Sequence, residues 1–299
     1  MYTKPLGNLI RRHNMQYHGY ADDTQGYITI KPNVDWRTTS STIEACVEDV
    51  GAWMSGNMLK LNHSKTKLII FRPKHRPTPT ADLSITIGNS TVSSARHVKN
   101  LGVIQDSCLT MEQQTNAITK ACYFQIGKIR RFITTDACKT LVHATITSRL
   151  DYANVLLYGL PQSLLAKLQR VQNSAARLIS RSRKRDHITP VLRELHWLPV
   201  EYRPRYKVLI YTYQALLGTA PSYICDLVEK HQPTRPLRSA SKLQVTVPKA
   251  RTVTYGDRSF RCAAATLWND LPEYIKKADS LAQFKRLLKT HLFQQAYPV

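Results

Sequence analysis

Two adjacent carboxylates, Asp22 and Asp23, follow Tyr20-Ala21 and lie between two strand-like runs, Met15 to Tyr20 and Thr24 to Ile30. The spacing predicts a hairpin whose turn carries both acids. Neighbouring carboxylates repel, and a divalent metal supplies the balancing charge; magnesium takes oxygen ligands, commonly one or two carboxylates together with substrate phosphates. A pair of such ions about 3.5–4 Å apart stabilises the attacking and leaving oxygens of an in-line phosphoryl displacement. The plainer reading is a polar β-turn, since Asp side chains cap their own backbone. A second group is basic. Pro161 is placed as the first residue of a helix whose apolar face is Leu164, Leu168, Val171, Ala175 and Leu178, with Lys167, Arg170, Arg177, Arg181 and Arg185 along its flank. Such a flank is either a solvated face or a contact to a phosphate backbone, which gives affinity without sequence readout.

The whole chain favours a polyanionic partner. Its 299 residues carry 43 Lys and Arg against 20 Asp and Glu, a formal charge of +23. Neutralising phosphates releases counterions, so this balance points to nucleic acid before membrane. A hydrophobic fraction of 42% is that of a folded protein with a real core. Cys46, Cys108, Cys122, Cys138, Cys225 and Cys262 are far apart, without zinc spacing, and read as reduced thiols of an intracellular protein, nuclear or cytoplasmic. The longest apolar stretch, Val208 to Leu217, is too short for a bilayer, and Arg11 and Arg12 are followed by no apolar leader core.

The elements that would position these groups follow from periodicity. Leu6, Leu9 and Ile10 suit a short helix ending before the hairpin. Ser41-Thr42-Ile43-Glu44 has the pattern of a capping box and predicts a helix over about 41–58, with Ile43, Val47, Val50, Met54 and Met58 as its apolar stripe. A polar turn over Asn57 to Asn62 leads to a strand at Leu68 to Phe71. Leu83, Ile85 and Ile87 alternate up to Gly88-Asn89, which predicts a hairpin. Beyond residue 110 the period becomes helical. One helix should carry Ile118, Cys122, Ile129 and Ile133, and another should run from Leu141 to Leu157. Arg181 to Arg185 reads as a linker first, with a nuclear signal or a nucleic-acid contact as rivals. Further helices are expected at Ile188 to Leu195, Tyr206 to Leu217, Phe260 to Leu267 and Leu281 to Leu292, with a strand at Leu243, Val245 and Val247. Trp197, Trp268 and Tyr206 could stack on bases, but they fall in apolar-periodic surroundings and are expected in the core.

In order, Tyr20-Ala21-Asp22-Asp23, a helix, Asn57-Met58-Leu59-Lys60-Leu61-Asn62 with Lys65-Thr66, a strand and Leu101-Gly102-Val103 resemble the second half of a reverse transcriptase palm of the non-LTR, LINE type. Leu195-His196-Trp197-Leu198-Pro199 and Ala265-Thr266-Leu267-Trp268-Asn269-Asp270-Leu271-Pro272 resemble the C-terminal region of such elements in the CR1/jockey-like group. The resemblance implies an α+β fold: a partial palm (antiparallel sheet plus helices) over 1–107, a helical thumb-like region over 108–185 and a mainly helical C-terminal domain over 186–299. It implies RNA-directed DNA synthesis, with Asp22 and Asp23 as catalytic ligands of Mg²⁺. Tyr20, Ala21, Lys65, Leu101 and Gly102 would lie on the primer or nucleotide side, and the thumb would ride on an RNA, DNA or RNA/DNA duplex. The chain departs from the family's pattern ahead of the hairpin, where no Asp or Glu precedes Asp22 to supply a further carboxylate. The expectation is therefore an N-terminally truncated enzyme, inactive alone unless another chain completes the site. A non-catalytic nucleic-acid-binding remnant is the alternative.

Overall fold

The computed structural model describes residues 4–30, 35–73, 83–129, 133–232 and 243–298. The protein is α+β, with twelve α-helices and three two-stranded sheets among the described residues. It divides into two compact units, Met1–Lys99 and Asn100–Val299. Residues 108–185 and 186–299 both lie in the second unit.

In the first unit, α1 (Lys4–Arg12) buries Leu6 and Ile10 and stops before the hairpin, as their spacing predicts. Strands β1 (Gln16–Tyr20) and β2 (Asp23–Tyr27) pair antiparallel, with Tyr20 opposite Asp23 and Gln16 opposite Tyr27. Alternation sorts the hairpin. Met15 and Tyr17 join the small core of Leu6, Ile10, Cys46, Ile43, Val50, Trp53 and Met54, whereas Tyr20 and Tyr27 face water.

Helix α2 (Trp36–Gly56) begins upstream of the expected capping box. Asp35, with extended backbone, already breaks the chain there, so Ser41 to Glu44 lie inside the helix. Their polar groups bond elsewhere: Thr42 Oγ1 donates to the Thr38 carbonyl at 3.0 Å, and the Glu44 carboxylate accepts from the Thr86 N–H at 2.6 Å. Met58 is also not part of the stripe. It lies beyond the helix at φ 58° and is 95% exposed. The expected hairpin forms from β3 (Ser84–Ile87) and β4 (Ser90–Ser93), with Gly88 at φ 57° in its turn. Leu68 to Phe71 is not a strand; only Leu68 bridges, to Ser94. The Pro-rich segment over 74–82 and most of the basic segment from His231 to Ser241 lie outside the described residues. A third hairpin, β5 (His97–Asn100) with β6 (Val103–Asp106), contains the point of division.

In the second unit, α3 (Glu112–Lys128) buries Ile118 and Cys122 but ends before Ile129 and Ile133. The helix expected over Leu141 to Leu157 is broken. Its parts are α4 (Thr135–Val142), a π-helical turn at His143–Thr147, α5 (Ser148–Asp151) and, after the left-handed Ala153, a 3-10 turn at Asn154–Leu157. Pro161 stands one residue outside α6 (Gln162–Ser180), which buries Leu164, Leu168, Val171 and Ala175 as predicted. The expected linker Arg181 to Arg185 is instead a turn within one unit, closed by the Arg183 N–H donating to the Asp186 carboxylate at 2.6 Å. After α7 (Thr189–Glu194) come α8 (Tyr202–Leu216), α9 (Ser222–Cys225), α10 (Phe260–Asn269), α11 (Glu273–Lys276) and α12 (Leu281–Ala296).

Two cores hold this unit together. One collects α3, α4 and α6 around Leu168, Val171 and Ile146 and takes in Trp197 and Tyr297. The other packs α8, α10 and α12 around Leu209, Ala264, Trp268, Phe284 and Leu288. Trp197 and Trp268 are buried and Tyr206 is half-buried, as their surroundings predict. The expected strand at Leu243 to Val247 reduces to a bridge between Val245 and Lys230. Its alternation is real, with Val245 buried and its neighbours at 243 and 247 exposed. Gln244 and Thr246 bond the backbone of His231 and Glu229, and the groups of Val245 itself are taken by a side chain: Asn269 accepts from the Val245 N–H at 2.9 Å and donates to its carbonyl at 2.8 Å. All six thiols are free, four of them buried.

Candidate functional site

The acidic hairpin turns through two residues, Ala21 and Asp22, between the paired Tyr20 and Asp23. Ala21 is left-handed at φ 54°, and a positive φ at this position suits the twist of the flanking strands. Asp22 therefore sits at the tip and Asp23 opens β2, both exposed. The scaffold beneath is α1. Gly7 leaves room for the Tyr17 ring, since a Cβ there would lie 1.9 Å from a ring carbon. Arg11 stacks over the same ring at 5.0 Å, and His13 Nε2 lies 2.7 Å from the Asp49 carboxylate, which ties the end of α1 to α2. Gly7→Ala pushes Tyr17 aside and is expected to destabilise the first unit by about 1–3 kcal/mol. Thermal unfolding followed through Trp36 and Trp53 measures this, and an unchanged midpoint would show that the hairpin is not seated on α1.

Oxygen donors are the right chemistry for Mg²⁺. Yet among the described residues no group of three or more His, Cys, Asp or Glu side chains is placed to hold a metal. Two solvated carboxylates on consecutive residues do not by themselves fit a resident magnesium site. Lys65 is exposed at the end of a 3-10 turn, His63–Lys65, whose Asn62 side chain accepts from the Lys65 N–H at 3.3 Å. No ion pair joins Lys65 to Asp22 or Asp23 among the described residues.

Leu101 and Gly102 belong to the second unit and form the turn between β5 and β6, at φ 44° and 79°. Tyr152, which sequence reasoning missed, holds that turn. Its hydroxyl donates to the Leu101 carbonyl at 2.6 Å, and its ring would lie 3.4 Å from a Cβ on Gly102. Gly102 thus meets two demands, a left-handed backbone and a close ring. No local pattern signals a partner 51 positions away.

The five basic residues around α6 divide by engagement. Lys167 Nζ donates to Asn116 Oδ1 at 3.0 Å, Arg177 donates to the Asp186 carbonyl at 3.3 Å, and Arg181, left-handed at the helix end, donates to the Ile133 carbonyl at 3.2 Å. Arg170 and Arg185 are exposed. Beside them the turn after β6 is built on Asp106, whose carboxylate accepts from the N–H groups of Cys108, Thr110 and Met111 and from the Thr110 hydroxyl. Asp106 is therefore occupied by structure. Arg258 clamps the same region, donating to the carbonyls of Leu109, Tyr158 and Leu156, and its burial lowers its pKa, an effect the Asp106 charge opposes.

The two C-terminal motifs have packing roles. Trp197 is buried, its carbonyl accepts from the Tyr297 hydroxyl at 2.8 Å, and the Leu198 carbonyl accepts from Gln172 and Arg203. Trp268 donates to the Leu243 carbonyl at 2.8 Å beside the Asn269 clamp on Val245. The architecture defines an α+β protein with a small hairpin-bearing unit and a larger helical one. Comparison with family models, with curated proteins and with solved structures returned no match.

Proposed function

We propose that this chain is part of a non-LTR reverse transcriptase and that, acting alone, it binds nucleic acid without synthesising DNA. The observation that carries the reading is the Tyr-Ala-Asp-Asp sequence at the exposed tip of an antiparallel hairpin, with both carboxylates open to solvent. A charge of +23 supports a polyanionic partner, and an acid-free α6 supports contact with phosphates. Synthesis is read as the work of an assembly that supplies a further carboxylate, a reading supported by the lack of a third metal-ligating side chain beside Asp22 and Asp23 among the described residues. RNA, DNA or a hybrid of the two is the partner, held by backbone contacts that do not read sequence.

The test is primer extension with Mg²⁺ on an RNA template, run beside a salt-dependent binding titration of the same preparation. Steep salt-dependent binding without extension is expected. Asp22→Asn with Asp23→Asn should leave affinity unchanged or slightly tighter, because only repulsion toward phosphate is removed. Mg²⁺-dependent extension abolished by Asp22→Ala would show that the chain polymerises unaided, and a folded sample that binds no nucleic acid would sink the reading as a whole.

A further inference from the structure

We propose that the exposed face of α12, carrying Lys285, Arg286 and Lys289, is a second phosphate-backbone contact separate from the one on α6. The inference rests on the nucleic-acid reading above and adds a site to it. Phe284 and Leu288 are fully buried and Leu292 nearly so, which turns the three cations outward, and all three are exposed.

The face is electrostatically one-sided. No Asp or Glu occurs anywhere in α12, and none of the three cations joins an ion pair among the described residues. The acid next to it, Asp279, precedes the helix, where the helix dipole favours a negative charge. Like charges four residues apart destabilise a helix, and a polyanion laid across them removes that repulsion. Lys285 and Lys289 stand about 6 Å apart along the axis, so one strand crossing the helix can be met at more than one phosphate.

The face is also rigidly mounted. Ser280 caps the start of α12 by accepting from the Gln283 N–H at 3.2 Å, and Phe284 stacks on Tyr213 at 4.2 Å. At the far end Phe293 and Tyr297 pack with the core around α6, and the Tyr297 hydroxyl bonds the Trp197 carbonyl. With both ends held, binding orders only the side-chain stems, which lowers its entropic cost. No exposed aromatic residue lies on α12, so the contact should not distinguish bases.

The experiment compares three full-length proteins for binding of a labelled RNA/DNA hybrid across a salt series: wild type, Lys285→Gln/Arg286→Gln/Lys289→Gln, and Arg170→Gln/Arg185→Gln. A milder Lys285→Gln/Lys289→Gln variant guards against misfolding, with circular dichroism melting as the check. The triple variant should melt like wild type, lose affinity on the order of tenfold at moderate salt, and show a slope of log K against log salt shallower by about 2–3. Unchanged affinity and slope in the triple variant, with a loss in the α6 variant, would overturn the α12 site and leave the nucleic-acid reading standing. No binding by wild type would remove that reading and this one together. Polyglutamate bound as tightly as the hybrid, and lost in the triple variant, would assign the face to an acidic polypeptide and overturn the proposal.

Discussion

Phe284→Ala is expected to lower the unfolding free energy of the second unit by about 3–5 kcal/mol. The ring is fully buried, lies nearly parallel to Tyr213 at 4.2 Å, and approaches Trp268 at 6.0 Å. It therefore joins three helices, α8, α10 and α12, and its removal leaves a void that rigid neighbours cannot collapse into. Phe284→Leu keeps most of the volume and should cost less than half as much. Urea titration followed by tryptophan fluorescence reads both, since Trp268 reports this core directly. If α12 carries the phosphate contact proposed above, the alanine variant should also weaken nucleic-acid binding, because α12 loses the anchor under its basic face. A wild-type midpoint for Phe284→Ala would mean that α12 is not packed in this core.

Alkaline pH should lower the stability of the protein in two overlapping parts. Burial pushes the Cys122 thiol from 9.0 up to about 11, partly offset by the Arg149 charge. Burial likewise pushes the Tyr297 hydroxyl from 10.0 up to about 12, with Arg203 pulling the other way. Both groups are neutral in the folded protein, and the unfolded chain releases its proton first. Stability is therefore fully present below pH 9, falls from pH 9 to 11 as the unfolded thiol ionises, and falls from pH 10 to 12 through the tyrosine. Each two-unit shift corresponds to roughly 2.7 kcal/mol. Burial shifts Tyr158, Tyr206 and Tyr213 in the same direction. Burial raises the Cys46 and Cys138 thiols as well, so Cys122→Ala should make the first part of the decline shallower without removing it. Tyr297→Phe should reduce the second, while costing about 1 kcal/mol at neutral pH for the lost hydrogen bond to the Trp197 carbonyl. Denaturant midpoints collected from pH 7 to 12 test this, and a flat profile through pH 11 would contradict it.

The candidate site was partly legible. The acidic turn could be placed because strand alternation and a two-residue loop are local patterns, readable from Met15 to Ile30 without knowing what lies beneath. Its seat could not be read, because the Gly7–Tyr17 approach depends on how α1 lies against the hairpin. The basic residues on and just beyond α6 are unequal in their surroundings. Lys167, Arg177 and Arg181 are engaged within the protein, while Arg170 and Arg185 are exposed, a distinction set by Asn116, Asp186 and Ile133. The capping box over Ser41 to Glu44 misled for a similar reason, since Glu44 is taken by the Thr86 N–H and Asp35 starts the helix.

By itself the sequence determined that helical and strand segments both occur, the acidic hairpin, the apolar faces of α1, α6 and α12, the burial of Trp197 and Trp268, and a large positive charge. These follow from composition and from periods of 2 and 3.6, which are properties of a few consecutive residues. The tertiary structure alone decided that the Asn269 side chain bonds both backbone groups of Val245, that Tyr152 locks the Leu101–Gly102 turn, and that Arg258 closes on Leu109 from 149 positions away. A buried carbonyl must find a donor from whatever segment packing brings to it. Which segment arrives is set by the whole chain at once, so no window of sequence contains the answer.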